Sequence, residues 1–471
     1  MKNHIKISIL FLFVLMGCED FLDIAPTAAV SSGNYFVDDQ QLETGVIAMY
    51  DAIQGVNSTS TGDNHSIQYE FYITEMRSDN TRTKSSEGEA AQFESYTIQS
   101  TNGIVLDYYR SMYNVIYRAN LVLENIDVAS DGNRDQFEGE ARFVRAYAYF
   151  NLVRLFGDVP LLDKVIGPED ADLSFTRAST ADVYGLITSD LQEAVAKLGK
   201  VSINRASKAA AQALLAKVYL TQGTNYVEAQ QLLEAIIGTE YSLEGDFKDV
   251  FYNESNDEVI FAIAYLPDLT SDSQNFSSEW LNAVGRTSGV NYVTTEAREA
   301  LDNLGGTRTQ YSYRQDQRQP TQYQVVKYLP DGDASLGIPA TSTDPTLAGN
   351  DWIVIRYADV LLMHVEAIMA GANETSSVSA ISSFQQVRSR AGITTPVATI
   401  TKEDLLNERR VELAFENHRW FDLVRFGVAR DVLSDFSAAN NYSFSDTDLL
   451  LPIPQAEINL SKGLLTQNPG Y

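Results

Sequence analysis

The chain has 471 residues, enough for one large or two ordinary hydrophobic cores, and 44 % of them are apolar, as in an ordinary globular protein. Its formal net charge of −28 disfavours nucleic acid as a partner, because phosphates would be repelled, and is simply read as a solvated acidic surface. A single cysteine, Cys18, rules out an intrachain disulfide.

The chain begins with Lys2 and Lys6, and the segment from Ile5 to Met16 is apolar except for Lys6 and Ser8. That is shorter than the roughly 20 residues a membrane-spanning helix needs, and it fits a secretory leader with a basic start and an apolar middle. Leu15-Met16-Gly17-Cys18 resembles the lipobox of bacterial lipoproteins, with Met16 an unusual choice for its position. The resemblance implies cleavage before Cys18 and acylation of its thiol, so that residues 1–17 are a signal peptide and Cys18 is a membrane tether. Losing residues 1–17 removes two lysines and no acid, taking the charge from −28 to −30.

Residues 18–36 read as an extended tether. Leu42, Val46, Met49, Tyr50 and Ile53 then recur at three- and four-residue steps, the period of a buried helical stripe. Residues 57–66 are a polar loop, and 77–103 read as irregular. Helices follow from about Ile104 to Val128 and from Arg134 to Phe156, the second closed by Gly157 in the C-cap position. Ser179 or Thr180 caps a helix running to Leu198, and 207–223 is rich in alanine and leucine and strongly helical. A further helix spans 225–237, ended by Gly238. From 240 to 350 the periodicity is mostly lost. Within that region 257–266 and 323–329 read as strands or core segments and the remainder as loop. Helices return at 355–371, 378–392, 402–419 and 420–434, and a proline-punctuated coil closes the chain. Helices joined by short connections predict a mainly α protein of stacked helical hairpins, resembling tetratricopeptide repeats. The domain organisation that follows is 18–239 with helical repeats, a loop-rich insertion at 240–350, and a helical region at 351–471.

Several blocks match one family in its own order. They are EGEARFVRAYAYFNLVRLFGDVPLL (138–162), SKAAAQALLAKVYL, NDEVIFAI, IRYADVLLMHVEA, QVRSRAG, NERRVELAFENHRWFDLVRFG (407–427), and the closing LLPIP and QNPGY. With the lipobox, they resemble the SusD/RagB family of Bacteroidetes. The resemblance implies four tetratricopeptide-like helix pairs and an irregular ligand-bearing subdomain. It also implies a lipid-anchored position on the outer face of the outer membrane and a SusC-like TonB-dependent transporter as partner. The implied ligand is an oligosaccharide, or a peptide in the RagB branch. Glu19-Asp20, after the cysteine, resembles the acidic export signal of this phylum.

The residues themselves argue against catalysis and metal chemistry. Glu408, Glu412 and Glu416 are spaced by four, so on one helix they share a face, interleaved with Arg409, Arg410 and Arg419. That pattern is more simply an ion-pair network than the two facing carboxylates of a glycoside hydrolase. His65, His364 and His418 are far apart, with no HExxH arrangement, and no P-loop, GxSxG elbow or dinucleotide fingerprint is present. No cofactor or metal is therefore expected. Sugar binding requires flat aromatic faces beside fixed polar groups. Two polar stretches supply them: 77–92, with Arg77, Asp79, Asn80, Arg82 and Lys84, and 268–292, with Trp280, Arg286, Asn291 and Tyr292. Trp280 is the leading single candidate, whereas Trp352 and Trp420 lie in core patterns. The tryptophans carried by the loop corresponding to 82–92 in starch-binding relatives are absent here, which argues against starch.

Overall fold

The computed structural model describes residues 35–471 apart from 59, 84–86, 255 and 279–290. The leader, Cys18, Lys84, Trp280 and Arg286 lie outside the described residues, as does the expected tether except for Tyr35 and Phe36.

The main helices, in chain order, are α1 (Asp39–Gln54), α2 (Ile67–Ile73), α3 (Gly103–Glu124), α4 (Arg134–Phe156), α5 (Thr180–Lys197), α6 (Lys208–Gln222), α7 (Tyr226–Glu234) and α8 (Thr295–Leu304). The C-terminal part adds α9 (Tyr357–Met369), α10 (Val378–Arg390), α11 (Lys402–Glu412), α12 (Arg419–Arg425) and α13 (Ala429–Ala439). Among the described residues, α1/α3, α4/α5, α6/α7 and α9/α10 form four pairs, and each pair packs on the next. This is the mainly α, tetratricopeptide-like scaffold that the sequence implied. α4 is its centre, buried on nearly every side from Phe137 to Phe156. Gly157 ends it at φ 72°, ψ −128°, a conformation costly for any residue with a Cβ. Ser179, Ser207 and Thr401 each accept a backbone N–H at the start of α5, α6 and α11.

Strands are short and antiparallel. Among the described residues, those of three residues or more are β1 (Thr81–Thr83), β2 (Val259–Ile263), β3 (Asn291–Val293), β4 (Tyr313–Gln315), β5 (Tyr323–Val325) and β6 (Trp352–Arg356). β2 pairs with β6 inside the core, β1 with β3, and β4 with β5, while β5 lies beside β3. The expected strands at 257–266 and 323–329 are thus present in shorter form.

One expectation is corrected in the ERR segment. The helix stops at Glu412, not Arg419, and Phe415 and Asn417 adopt left-handed φ values of 65° and 62°. Glu416 therefore does not share a helical face with Glu408 and Glu412. It reaches the same cluster from a turn.

Candidate functional site

Three interlocked sets of buried charges join the ends of the chain. Arg356, at the end of β6, donates to Glu258, Glu412 and Glu416 at 2.8, 2.5 and 2.7 Å. Arg308 adds bonds to Glu408 and Glu412 at 2.6 and 2.7 Å, Arg390 also reaches Glu412, and Lys327 donates to Glu416 at 2.6 Å. Burial pushes the Glu412 carboxyl up, but Arg390, Arg356 and Arg308 overcome that and hold it well below the usual carboxylate range. A second set links Arg409 to Asp359 and Asp422, and a third holds Asp79 between Arg410 and Arg419 at 2.8 Å each. Each glutamate of the ERR segment is tied to arginine or lysine, with no pair free to flank a glycosidic bond. The structure makes this segment a lock, as its charge alternation suggested.

The third set corrects part of the expected ligand loop. Residues 77–80 are buried, because their charges find partners over 300 positions away. Arg77 lies 3.8 Å from the Trp420 ring, so both are core. Asn80 is 1 % exposed, its amide nitrogen donating to Glu75 at 2.9 Å and its oxygen accepting from Arg410 at 3.1 Å. It has no free amide to offer at the surface.

Beyond Asn80 the chain turns outward, and here the two stretches singled out in the sequence meet. β1 and β3 pair so that Thr81 faces Val293, Arg82 faces Tyr292 and Thr83 faces Asn291. Side chains alternate across a ribbon, so the Arg82–Tyr292 pair takes one side and the other two pairs take the buried side. Arg82 keeps 27 % side-chain exposure, and its Nε donates to Glu94 at 2.8 Å. Its terminal nitrogens reach Asn440 and the Tyr442 hydroxyl, and that hydroxyl donates to Glu94 at 3.1 Å. Burial would lower the Arg82 pKa, but the bond to Glu94 raises it, so its charge is fixed and locally neutralised. Asn291 is fully buried, and among the described residues neither atom of its amide meets a partner. On the far side of β3, Tyr323 of β5 packs against Tyr313, and Arg298 lies 3.9 Å over its ring.

The result is a half-exposed face where the Tyr292 ring stands beside the donors and acceptors of Arg82, Asn440 and Tyr442. Glu94, Asn440 and Tyr442 were not anticipated. Asn440 and Tyr442 lie in the polar, aromatic run NNYSF at 440–444, and Glu94 in the 77–103 stretch that reads as irregular. Among the described residues, no group of three or more His, Cys, Asp or Glu side chains is placed to hold a metal ion, and no helix is long and apolar enough to cross a membrane.

Helical hairpins stacked in four pairs, with distant loops returning to build a small polar and aromatic face, place the molecule in the class of tetratricopeptide-like binding scaffolds. Residues 270–471 match the model of the SusD family, and residues 20–220 match a model described as starch-binding, associating with the outer membrane. The chain belongs to the SusD family. SusD-like protein P2 of Formosa agariphila is 26 % identical over 526 residues, spanning all of both chains. A solved laminarin-binding SusD-like protein superposes with a TM-score of 0.76 at 26 % identity, covering 92 % of this chain and all of that one. Surface glycan-binding protein A of Bacteroides thetaiotaomicron, solved with laminarihexaose, shares the fold with a TM-score of 0.76 at 22 % identity, covering 92 % and 99 %.

Proposed function

We propose that the protein is a cell-surface, glycan-binding lipoprotein that captures an oligosaccharide and passes it to a SusC-like TonB-dependent transporter. The observation that carries this reading is the β1–β3 ribbon, where Arg82 and Tyr292 come from loops more than 200 residues apart to share one half-exposed face. The Tyr292 ring is suited to the row of C–H groups on a pyranose, and the Arg82–Asn440–Tyr442 group to its hydroxyls. Because Glu94 neutralises Arg82, this part of the face suits an uncharged sugar better than an acidic one. Trp280, Arg286 and Lys84 belong to the proposed site by their place in the sequence next to the ribbon, whereas Asn291 is buried on the side of the ribbon opposite Arg82 and Tyr292 and is not a ligand contact. The names of the laminarin-binding relatives support a β-glucan as the first ligand to try.

Anchoring through acylated Cys18 places the face outside the cell, and closure over the transporter mouth would bury the bound sugar. The test is calorimetric titration of residues 18–471 with laminarihexaose, other oligosaccharides and a peptide set. Saturable binding of a glycan that remains intact supports the proposal. Binding of peptides alone, or the appearance of new reducing ends, overturns it. In cells, Cys18→Ser should release the protein from the envelope and remove the transporter from its pull-down.

A further inference from the structure

A cavity of about 60 Å³ lies inside the scaffold, walled by α2, α4, α6, β6, α12 and the turn after α11. Its volume suffices for a small ion with a companion water. The Arg154 guanidinium stands in its wall, sandwiched between the rings of Phe150 at 3.8 Å and Phe421 at 3.6 Å. Its Nε donates to the Phe150 carbonyl at 3.0 Å and a terminal nitrogen reaches the Asn151 amide oxygen. Among the described residues no carboxylate lies within ion-pair distance of it.

The other charged groups facing the cavity are already matched. Lys217 pairs with Asp359, Arg409 with Asp359 and Asp422, Arg425 with Asp422 and Glu366, and Glu416 with Arg356 and Lys327. His418 is kept neutral, since burial first and then Lys217 push it down to about 3. The remaining acid is Glu70, whose hydrogen bond comes from the Tyr147 hydroxyl at 3.3 Å. Asn417 also lines the cavity, 5 % exposed and left-handed, with neither amide atom meeting a partner among the described residues. A half-buried guanidinium with no carboxylate at ion-pair distance is under-compensated, and a buried amide without a hydrogen bond is costly. One small anion would accept from the guanidinium and from the Asn417 Nδ2–H, and the companion water would donate to the Asn417 Oδ1.

We propose that this cavity is a binding site for a small monovalent inorganic anion of the chloride class, seated between the Arg154 guanidinium and the Asn417 amide. The site is coupled to a proton. Burial raises Glu70 to about 7 against the pull of Arg154, so near neutrality it alternates between charged and neutral. As carboxylate it competes with the anion for Arg154; as neutral acid it does not. If only the neutral form admits the anion, affinity should rise about tenfold from pH 8 to pH 6.

The experiment uses the full mature chain. Sodium bromide replaces sodium gluconate at constant ionic strength, and thermal unfolding is followed at pH 6 and pH 8. Bromide should raise the melting temperature, more so at pH 6, and crystals soaked in bromide should show an anomalous peak beside Arg154. Glu70→Gln should keep the bromide effect and erase its pH dependence. Arg154→Met should lose both, and if that variant does not fold, the Glu70→Gln titration and the anomalous map decide. No anomalous peak, with equal melting temperatures in the two salts, would mean a cavity holding water alone and would overturn the proposal.

Discussion

Glu75 and Glu412 are both fully buried carboxylates in opposite electrostatic settings. Glu412 touches three guanidinium groups. Replacing it with glutamine leaves Arg308, Arg356 and Arg390 short of a counter-charge in a dry interior. Glu412→Gln should therefore cost about 3–5 kcal/mol, read as a fall in the urea midpoint with an unchanged slope. Among the described residues, Glu75 touches no cation at ion-pair distance. Its Oε1 accepts from Asn80 at 2.9 Å and from the Phe415 N–H at 3.3 Å, while Oε2 has no partner. Burial outweighs those two bonds and raises its pKa from 4.5 to about 7. The folded state then binds this proton more tightly than the unfolded state. The stability linked to Glu75 is fully present below about pH 4.5 and is lost as pH climbs to about 7. Glu75→Gln removes that dependence. Relative to the parent, the variant should gain on the order of 3 kcal/mol between pH 4.5 and pH 7.5 in paired urea titrations. Asp422 acts in the other direction. Burial raises it, but Arg409 and Arg425 bring it down to about 2, so its contribution is present above about pH 4 and fades in stronger acid. At this scale the sequence told little about 77–80. Arg, Ser, Asp and Asn in a row read as a solvated loop, and the arginines that justify their burial stand over 300 positions downstream. Trp352 and Trp420 were legible as core because the first opens the apolar run WIVI ahead of a helix and the second lies in the ERR segment.

Elements were readable in proportion to their length. α4 and α5 run for 23 and 18 residues, long enough for a 3.6-residue period, a serine cap and a closing glycine to agree. α11 was overextended because LAFENHR contains neither proline nor glycine. What ends the helix is tertiary: the turn through Phe415 and Asn417 returns Glu416 to Arg356 and Lys327, and those buried charges outweigh the strain of two left-handed residues. The β1–β3 ribbon was out of reach for a similar reason. Three residues carry no periodicity, and the pairing joins stretches over 200 positions apart. Both stretches had nevertheless been marked by composition, and the ribbon brings Arg82 and Tyr292 together. The ribbon's backbone is held by Thr294, whose hydroxyl donates to the Asp79 carbonyl at 2.8 Å and whose N–H donates to the Asn80 carbonyl at 3.0 Å, so it does not depend on the outward rings. Tyr292→Ala should accordingly weaken glycan binding about tenfold, roughly 1.4 kcal/mol, with little change in melting temperature. Calorimetric titration beside a thermal scan separates the two effects.

For the whole molecule, composition divides the chain at about 240 and 350, and the two family models cover 20–220 and 270–471, leaving 221–269 between them. The packing runs across these divisions. A single cluster of buried apolar residues extends from Phe36 to Leu465. α9 of the C-terminal stretch packs on α6 and α7, extending the helix stack begun by the N-terminal one. β2 from the middle stretch pairs with β6 from the last. The buried ion pairs do the same: Asp79 depends on Arg410 and Arg419, Lys217 on Asp359, and Glu258 on Arg356. If residues 18–239 separated from the rest, Asp79 and Lys217 would be left as unpaired charges, and the apolar flanks of α6 and α7 would face water. Each loss alone costs several kcal/mol, comparable with the net stability of a typical fold. The halves should therefore unfold together. Scanning calorimetry of residues 18–471 should give one transition whose calorimetric enthalpy equals its van't Hoff enthalpy. A fragment of 18–239 should lack a cooperative transition on its own. Two resolved peaks, or a cooperatively melting fragment, would instead make the compositional boundary at 240 a folding boundary as well.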